Sequence, residues 1–161
     1  MALKNIQAIY PNFKYIIVGN GDEEENLKKT TKTLNLENNV IFLKNINFEL
    51  KNALLKNANI FLMPARIEGT SVEGFGISYI EAASYGIPSI AGKDGGAPDA
   101  VQHNKTGLLC NGYDHSEIYD ALKNIIQNKK YLELGKNAKE FSKKFYWKEI
   151  IKKYASLLSL E

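Results

Sequence analysis

The sequence predicts an α/β fold, a parallel sheet with helices on both faces. Three observations lead there. Short apolar runs of strand length alternate with segments whose apolar residues recur at helical spacing. Glycine, proline or asparagine punctuates most of the strand ends. The length of 161 residues, with 44% hydrophobic and 24% charged residues, suits one globular domain with one core, and residues 1–161 are read as such.

Taken in order, Tyr15–Val18 reads as a buried strand ended by Gly19-Asn20-Gly21. A helix follows from about Asp22, its acidic first turn (Glu23, Glu24, Glu25) matched to the positive end of the helix dipole. Its apolar row is Leu27, Thr31 and Leu34. Val40–Leu43 is the second strand, and a short helix over about Phe48 to Asn57 comes next. Ile60–Met63 is the third strand, stopped by Pro64, and a loop runs from Ala65 to Gly74. A helix from about Gly76 to Tyr85 ends at Gly86 with Pro88 beyond, a stop signal. Ser89–Ala91 and Gly107–Cys110 are the last strands. Terminal helices close the chain over about 116–159, in three segments: Ser116–Asn128, about Lys130–Phe145 and Trp147–Leu158. The last carries Trp147, Ile151, Tyr154 and Leu158 on one face, with Trp147 and Tyr154 expected as core contacts.

Composition narrows the class further. The longest apolar runs hold four or five residues, against the ~20 that a membrane-spanning helix needs. No apolar stretch of signal-peptide type follows Met1. One cysteine, Cys110, excludes an internal disulfide and fits a reducing compartment. A soluble, cytoplasmic protein is expected. The net charge of +3 is too small to argue for a nucleic-acid partner, and none is expected. Ten lysines against three glutamates between Leu122 and Lys153 read as solvated helix faces, or else as a contact for phosphates or an anionic membrane. Twenty lysines accompany a single arginine, Arg66, which singles that residue out.

In parallel sheets, ligands bind beyond the carboxyl ends of the strands. Gly19-Asn20-Gly21 lacks the third glycine of a dinucleotide fingerprint, Glu24 standing there, and three glutamates would repel a pyrophosphate. It reads as a tight turn bordering a ligand. The loop Glu68 to Glu81 says more. Gly74 and Gly76 bare the backbone where a helix begins, so its N–H groups attract anions without a basic side chain. Glu73 precedes that helix and Glu81 lies about one and a half turns into it. A carboxylate accepts two hydrogen bonds at once, which suits a vicinal diol. Anion donors between two diol acceptors describe a receptor for a nucleoside-diphosphate sugar; a helix cap with two solvated glutamates is the plain alternative. The loop Gly92 to Asp99, with adjacent Gly95 and Gly96, permits close backbone approach to a ligand.

In this order these loops resemble the donor-binding domain of family 4 retaining glycosyltransferases, whose complete enzymes have two Rossmann-like domains, the GT-B architecture. The resemblance is carried by Ile17-Val-Gly19-Asn-Gly21, Glu73-Gly-Phe-Gly-Ile-Ser-Tyr-Ile-Glu81-Ala82, Gly86-Ile-Pro-Ser-Ile-Ala91, Gly95-Gly-Ala-Pro-Asp-Ala-Val101 and Lys105-Thr-Gly-Leu-Leu109. Within the family, the loops on either side of Glu73 look most like the phosphatidylinositol-mannoside mannosyltransferases. The resemblance implies that Glu73 binds the transferred sugar and acts in catalysis, and that Glu81 binds the ribose. Gly74, Phe75, Gly76, Ile77 and Ser78 would line the phosphates and sugar, and Ile46 and Gly19 would border the base. It further implies a metal-independent transfer of a hexosyl unit to a glycan or lipid acceptor, in polysaccharide or glycolipid assembly. The chain has no D-x-D motif, in agreement.

Two departures qualify the resemblance. The family's additional first strand and its Arg/Lys phosphate clamp have no counterpart before Tyr15, where only Lys4 and Lys14 are basic. The N-terminal acceptor domain is also missing. The expectation is therefore half of a GT-B fold, inactive alone, completed by that domain or by a partner chain, with peripheral membrane contact open to the full enzyme. Arg66 either replaces part of the clamp or pairs with Glu68; Lys93 and Asp94 are similarly ambiguous. Competing readings are a glycosidase using Glu73 and Glu81, a GT-B epimerase, and a non-catalytic nucleotide-sugar-binding half that serves a separate acceptor-domain chain. His103 and His115 are expected as surface or capping residues, and Cys110 as a small core residue.

Overall fold

A computed structural model describes residues 1–158. Its helices are α1 (Ala2–Gln7), α2 (Glu24–Thr33), α3 (Phe48–Asn57), α4 (Ile77–Ser84), α5 (Ala97–Ala100), α6 (His115–Gln127), α7 (Lys130–Ser142) and α8 (Trp147–Leu157). Its strands are β1 (Tyr15–Val18), β2 (Val40–Leu43), β3 (Phe61–Met63), β4 (Ser89–Gly92) and β5 (Gly107–Cys110). A 3₁₀ turn over Lys143–Phe145 shortens the expected seventh helix. Every strand pairing is parallel and helices alternate with the strands, as expected of an α/β chain. No described helix is long and apolar enough to cross a membrane. Ser159, which the sequence assigns to the last helix, lies outside the described residues.

The chain divides into two compact units, Met1–Leu54 and Leu55 onward. In the first, β1 pairs with β2, Tyr15 opposite Val40 through Val18 opposite Leu43. Ala2, Ile6, Leu36 and Val40 are buried. The polar centre is Asn39, whose amide donates to the Pro11 and Phe13 carbonyls, both at 2.8 Å, and accepts from Gln7. Burying an amide without partners would cost several kcal/mol, on the order of 2–7, so this full satisfaction fixes the turn that feeds β1. Lys4 and Lys14 make local contacts, to Gln7 and to the Asn38 carbonyl. No residue of α2 is buried, and its Leu27 is exposed.

In the second unit β4 lies between β3 and β5 and is buried along its length. Tyr79, Ala91, Ala97, Ala100 and Val101 form the core, with Phe61, Met63, Phe75, Ile80 and Leu109 packed around them. Small residues predominate because helices and strand exits approach closely. A Cβ built on Gly135 of α7 would stand 2.1 Å from the Gly86 carbonyl oxygen at the end of α4. Gly86 itself is left-handed, with φ of 78°, and ends α4 as the sequence predicts.

The expected core role of the last helix is overturned. Trp147 is 79% and Tyr154 63% exposed, and α8 has no buried residue. Helical periodicity reports that a face is apolar, not that a partner within the same unit covers it.

Gly92, at the end of β4, tests the packing. Its Cβ would fall 1.8 Å from the Ala65 carbonyl oxygen, whereas Gly21 has nothing within 4 Å. Gly92→Ala is expected to lower stability by about 2 kcal/mol or more through overpacking. Gly21→Ala should stay within about 0.5 kcal/mol. Urea unfolding midpoints of the two variants check the contrast; equal midpoints would refute it.

Candidate functional site

The segment Pro64–Gly76 leaves β3 and enters α4, and glycines from neighbouring exits hold both its ends. Gly92 and Gly112 back onto its first residues: a Cβ on Gly112 would lie 2.6 Å from the Pro64 carbonyl oxygen and 2.8 Å from that of Ala65. At its far end a Cβ on Gly96 would lie 2.0 Å from the Gly74 carbonyl oxygen, and the Gly96 N–H donates to the Glu73 carbonyl at 2.8 Å. Gly95 and Gly96 therefore approach the chain's own backbone behind Glu73, where the sequence suggests approach to a ligand. That glycines permit close approach is legible; what approaches is decided by tertiary packing.

Between these ends the chain makes a minimal hairpin. Glu68 and Ser71 exchange backbone hydrogen bonds of 3.0 and 2.8 Å around Gly69 and Thr70. Gly69 takes φ of 58°, a left-handed first position that such two-residue loops reserve for glycine.

Gly76 begins α4 with φ of 89° and no side-chain cap. A side chain there would also strike the Tyr79 ring, 2.3 Å from its Cδ2. Tyr79 is fully buried and its hydroxyl donates to the Met63 carbonyl at 2.6 Å, fastening the first turn of α4 to the end of β3. Burial, reinforced by the charge of Glu73, pushes its phenol up to about 12. The N–H groups of Ile77 and Ser78 belong to a first turn that has no intrahelical acceptors. Gly74 is exposed, and Ile77 is 72% exposed although apolar. Phe75 turns its ring into the core, 5.4 Å from Phe145, which leaves its backbone at the helix entry.

Glu73 is half-buried, and among the described residues no hydrogen bond or ion pair is found on its carboxylate. Glu81 is exposed on α4. Arg66 pairs with Glu68, one of its two expected states, and stacks 5.4 Å over the Tyr113 ring. Lys93 pairs with Glu117 at 3.0 Å. Arg66, Glu73 through Ser78 and Glu81 all lie in the second unit, on the stretch from the end of β3 into α4. Gly19 and Ile46 belong to the first unit, at the carboxyl ends of β1 and β2. There the Gly19 N–H donates to the Leu43 carbonyl at 3.1 Å, and Asn20 and Asn45 join the two loops at 3.1 Å.

Sequence reasoning assigned no role to Tyr79 or Tyr113. The i, i+3 spacing of Gly76 and Tyr79 is a signal for the first; the Tyr113 contact to Ile67 spans 46 residues and leaves none. His103 is exposed, a surface residue as expected, and accepts from the Leu109 N–H of β5 at 2.9 Å. Cys110 is buried, its thiol pushed up to about 11 by that burial, as befits a small core residue.

Glu117 supports the loop that carries Tyr113. Its carboxylate accepts the Asn111 N–H at 2.8 Å and pairs with Lys93, and these two contacts hold it below the usual carboxylate range. A depressed folded pKa stabilises above the unfolded value and is lost as pH falls through the folded one. Glu117→Gln is therefore expected to lower the urea midpoint at pH 7, and the gap to the unsubstituted chain should narrow steadily below about pH 4.5. A gap that stays constant down to pH 3 would contradict this.

Comparison with known proteins gives the family. The model for glycosyl transferases group 1 matches residues 1–141. The GDP-mannose-dependent alpha-(1-6)-phosphatidylinositol monomannoside mannosyltransferase of Mycobacterium tuberculosis is 33% identical over 98% of this chain and 42% of its own length. Sucrose-phosphate synthase from Thermosynechococcus elongatus superposes with a TM-score of 0.79 at 26% identity, over 99% of this chain and 42% of that one. Anabaena HepE, solved in complex with UDP-glucose, gives 0.81 at 25% identity, over 98% and 44%. The chain spans less than half the length of each of these proteins. Coverage of that extent, with parallel strands and intervening helices, fits half of a GT-B fold. The chain belongs to the glycosyl transferases group 1 family.

Proposed function

We propose that residues 1–161 are the donor-binding domain of a retaining glycosyltransferase, holding a nucleotide-diphospho-sugar at the start of α4. One observation carries the reading: an uncapped helix entry behind a left-handed Gly76, bordered by the exposed Gly74 and flanked by Glu73 and Glu81. Backbone N–H groups of Phe75 through Ser78 receive the diphosphate, with the helix dipole favouring the anion. Glu73 takes hydroxyls of the transferred hexose beside the reacting carbon, and Glu81 takes the ribose hydroxyls. Arg66, on the hairpin leading into Glu73, offers its guanidinium to the donor.

In the reaction the bond from the anomeric carbon to the diphosphate breaks and a bond to an acceptor hydroxyl forms, with configuration retained. Negative charge grows on the departing diphosphate, where fixed N–H donors stabilise it without reorganising. The reading requires no metal. The names of the relatives support a nucleotide-sugar donor and offer two, GDP-mannose and UDP-glucose. The acceptor is read as a glycan or lipid in cell-surface polysaccharide or glycolipid assembly, and the setting as cytoplasmic.

A second observation bears on the partner. Ile16 and Val18 of β1, Ile41 of β2, and Trp147, Ile151, Tyr154 and Leu157 of α8 are exposed. We assign these faces to an acceptor domain, on the same polypeptide or on a separate chain to which this one contributes only donor binding. Alone, the chain should bind donor without appreciable transfer.

Calorimetric titration with UDP, GDP, UDP-glucose and GDP-mannose tests the reading. We expect selective binding of one nucleotide, unchanged by EDTA. Glu81→Ala should weaken it about 10- to 100-fold, the range for losing hydrogen bonds to a charged group. No binding at millimolar ligand, or equal binding by the variant, would overturn it.

A further inference from the structure

The hairpin 66–72 is exposed along its whole length, yet its two feet are fixed by the glycine contacts around Pro64–Ala65 and Glu73–Gly74. Its first arm, at Arg66 and Ile67, is reached from outside by Tyr113. The Tyr113 hydroxyl donates to the Ile67 carbonyl, and its ring lies under the Arg66 guanidinium at 5.4 Å. Tyr113 is itself firmly seated. Its N–H donates to the Asn111 side chain at 3.0 Å, and the Asp114 N–H returns to the Asn111 carbonyl at 3.0 Å. Asp114 caps α6 by accepting from Ser116 and Glu117, and Glu117 holds the Asn111 N–H. A rigid helix start thus presents a half-exposed tyrosine to a hairpin that has few other anchors.

We propose that Tyr113 is a positioning residue for the donor's sugar, latching the hairpin that carries Arg66 and ends at Glu73. This deepens the donor-site reading and rests on it. The asymmetry follows from the chain: Glu81 and the N–H groups that face the phosphates sit on α4 or at its entry, fastened through Tyr79, whereas Arg66 sits on the latched hairpin that runs into Glu73. Loss of the latch should therefore be felt by the sugar and spare the nucleotide. Phenylalanine keeps the ring under Arg66 and loses only the hydroxyl, so it should recover part of the effect.

The test pairs two readouts on the full chain with Tyr113→Ala and Tyr113→Phe. Amide hydrogen exchange should rise across 66–72 in the alanine variant while α4 and α6 keep their protection. Titrations with UDP against UDP-glucose, and GDP against GDP-mannose, should show the sugar conjugate weakened about tenfold in the alanine variant. Free nucleotide should change less than twofold, and phenylalanine should fall between, about fivefold, as for one lost hydrogen bond. Unchanged exchange would overturn the latch. Equal weakening of nucleotide and conjugate would reduce Tyr113 to general structure and overturn the proposal. A chain that loosens as expected yet binds no nucleotide in unsubstituted form would overturn the donor reading itself, and with it the role in sugar positioning.

Discussion

The carbonyl oxygen of Ala65 lies where a Cβ on Gly92 or Gly112 would stand, and the candidate site depends on that contact. It forces the exit of β3 to run directly over the exits of β4 and β5. The same close approach recurs eight and nine residues later, where Gly96 donates to the Glu73 carbonyl and meets that of Gly74. Between the two clamps the backbone has only one short excursion, the 66–72 hairpin. Tyr79 then ties the helix to the strand end through the Met63 carbonyl, and its ring in turn excludes any side chain at residue 76. Each of these four glycines is thus explained by a specific neighbour: Gly92, Gly112 and Gly96 by backbone of the loop, Gly76 by a buried ring. The result is a helix entry set rigidly and left bare.

The electrostatics follow from that bareness. No lysine stands in the segment 64–91, and its one arginine is paired with Glu68. Most of the attraction for an anion must then come from backbone N–H groups and the helix dipole, which are fixed in direction and need no side-chain ordering. Two carboxylates beside such a site would repel a bare phosphate, so they favour a ligand that also brings hydroxyls. The charge of Glu73 adds to burial in raising the Tyr79 phenol.

Much of this was legible in the sequence because local chemistry governs it. The runs Tyr15–Val18, Val40–Leu43 and Gly107–Cys110 are strands to the residue, bounded by residues that break a ladder. Gly86 stops α4 because a left-handed residue closes the helix there without strain. What escaped was set by tertiary context. Nothing local distinguishes Gly95 and Gly96 approaching a ligand from the same pair approaching Glu73 and Gly74. The apolar face of α8 is real, but none of its residues is buried in the unit that bears it. The latch of Tyr113 on Ile67 joins two loops with no shared periodicity.

The most direct test of a preformed donor site is a crystal structure of the chain with a nucleotide-diphospho-sugar bound. The account predicts diphosphate oxygens within hydrogen-bond distance of the backbone N–H groups of Phe75 through Ser78, and ribose hydroxyls on Glu81. The backbone of 64–65 and 73–76 should coincide with that described here. A ligand seated elsewhere, or one that binds only after this backbone has been rebuilt, would contradict it.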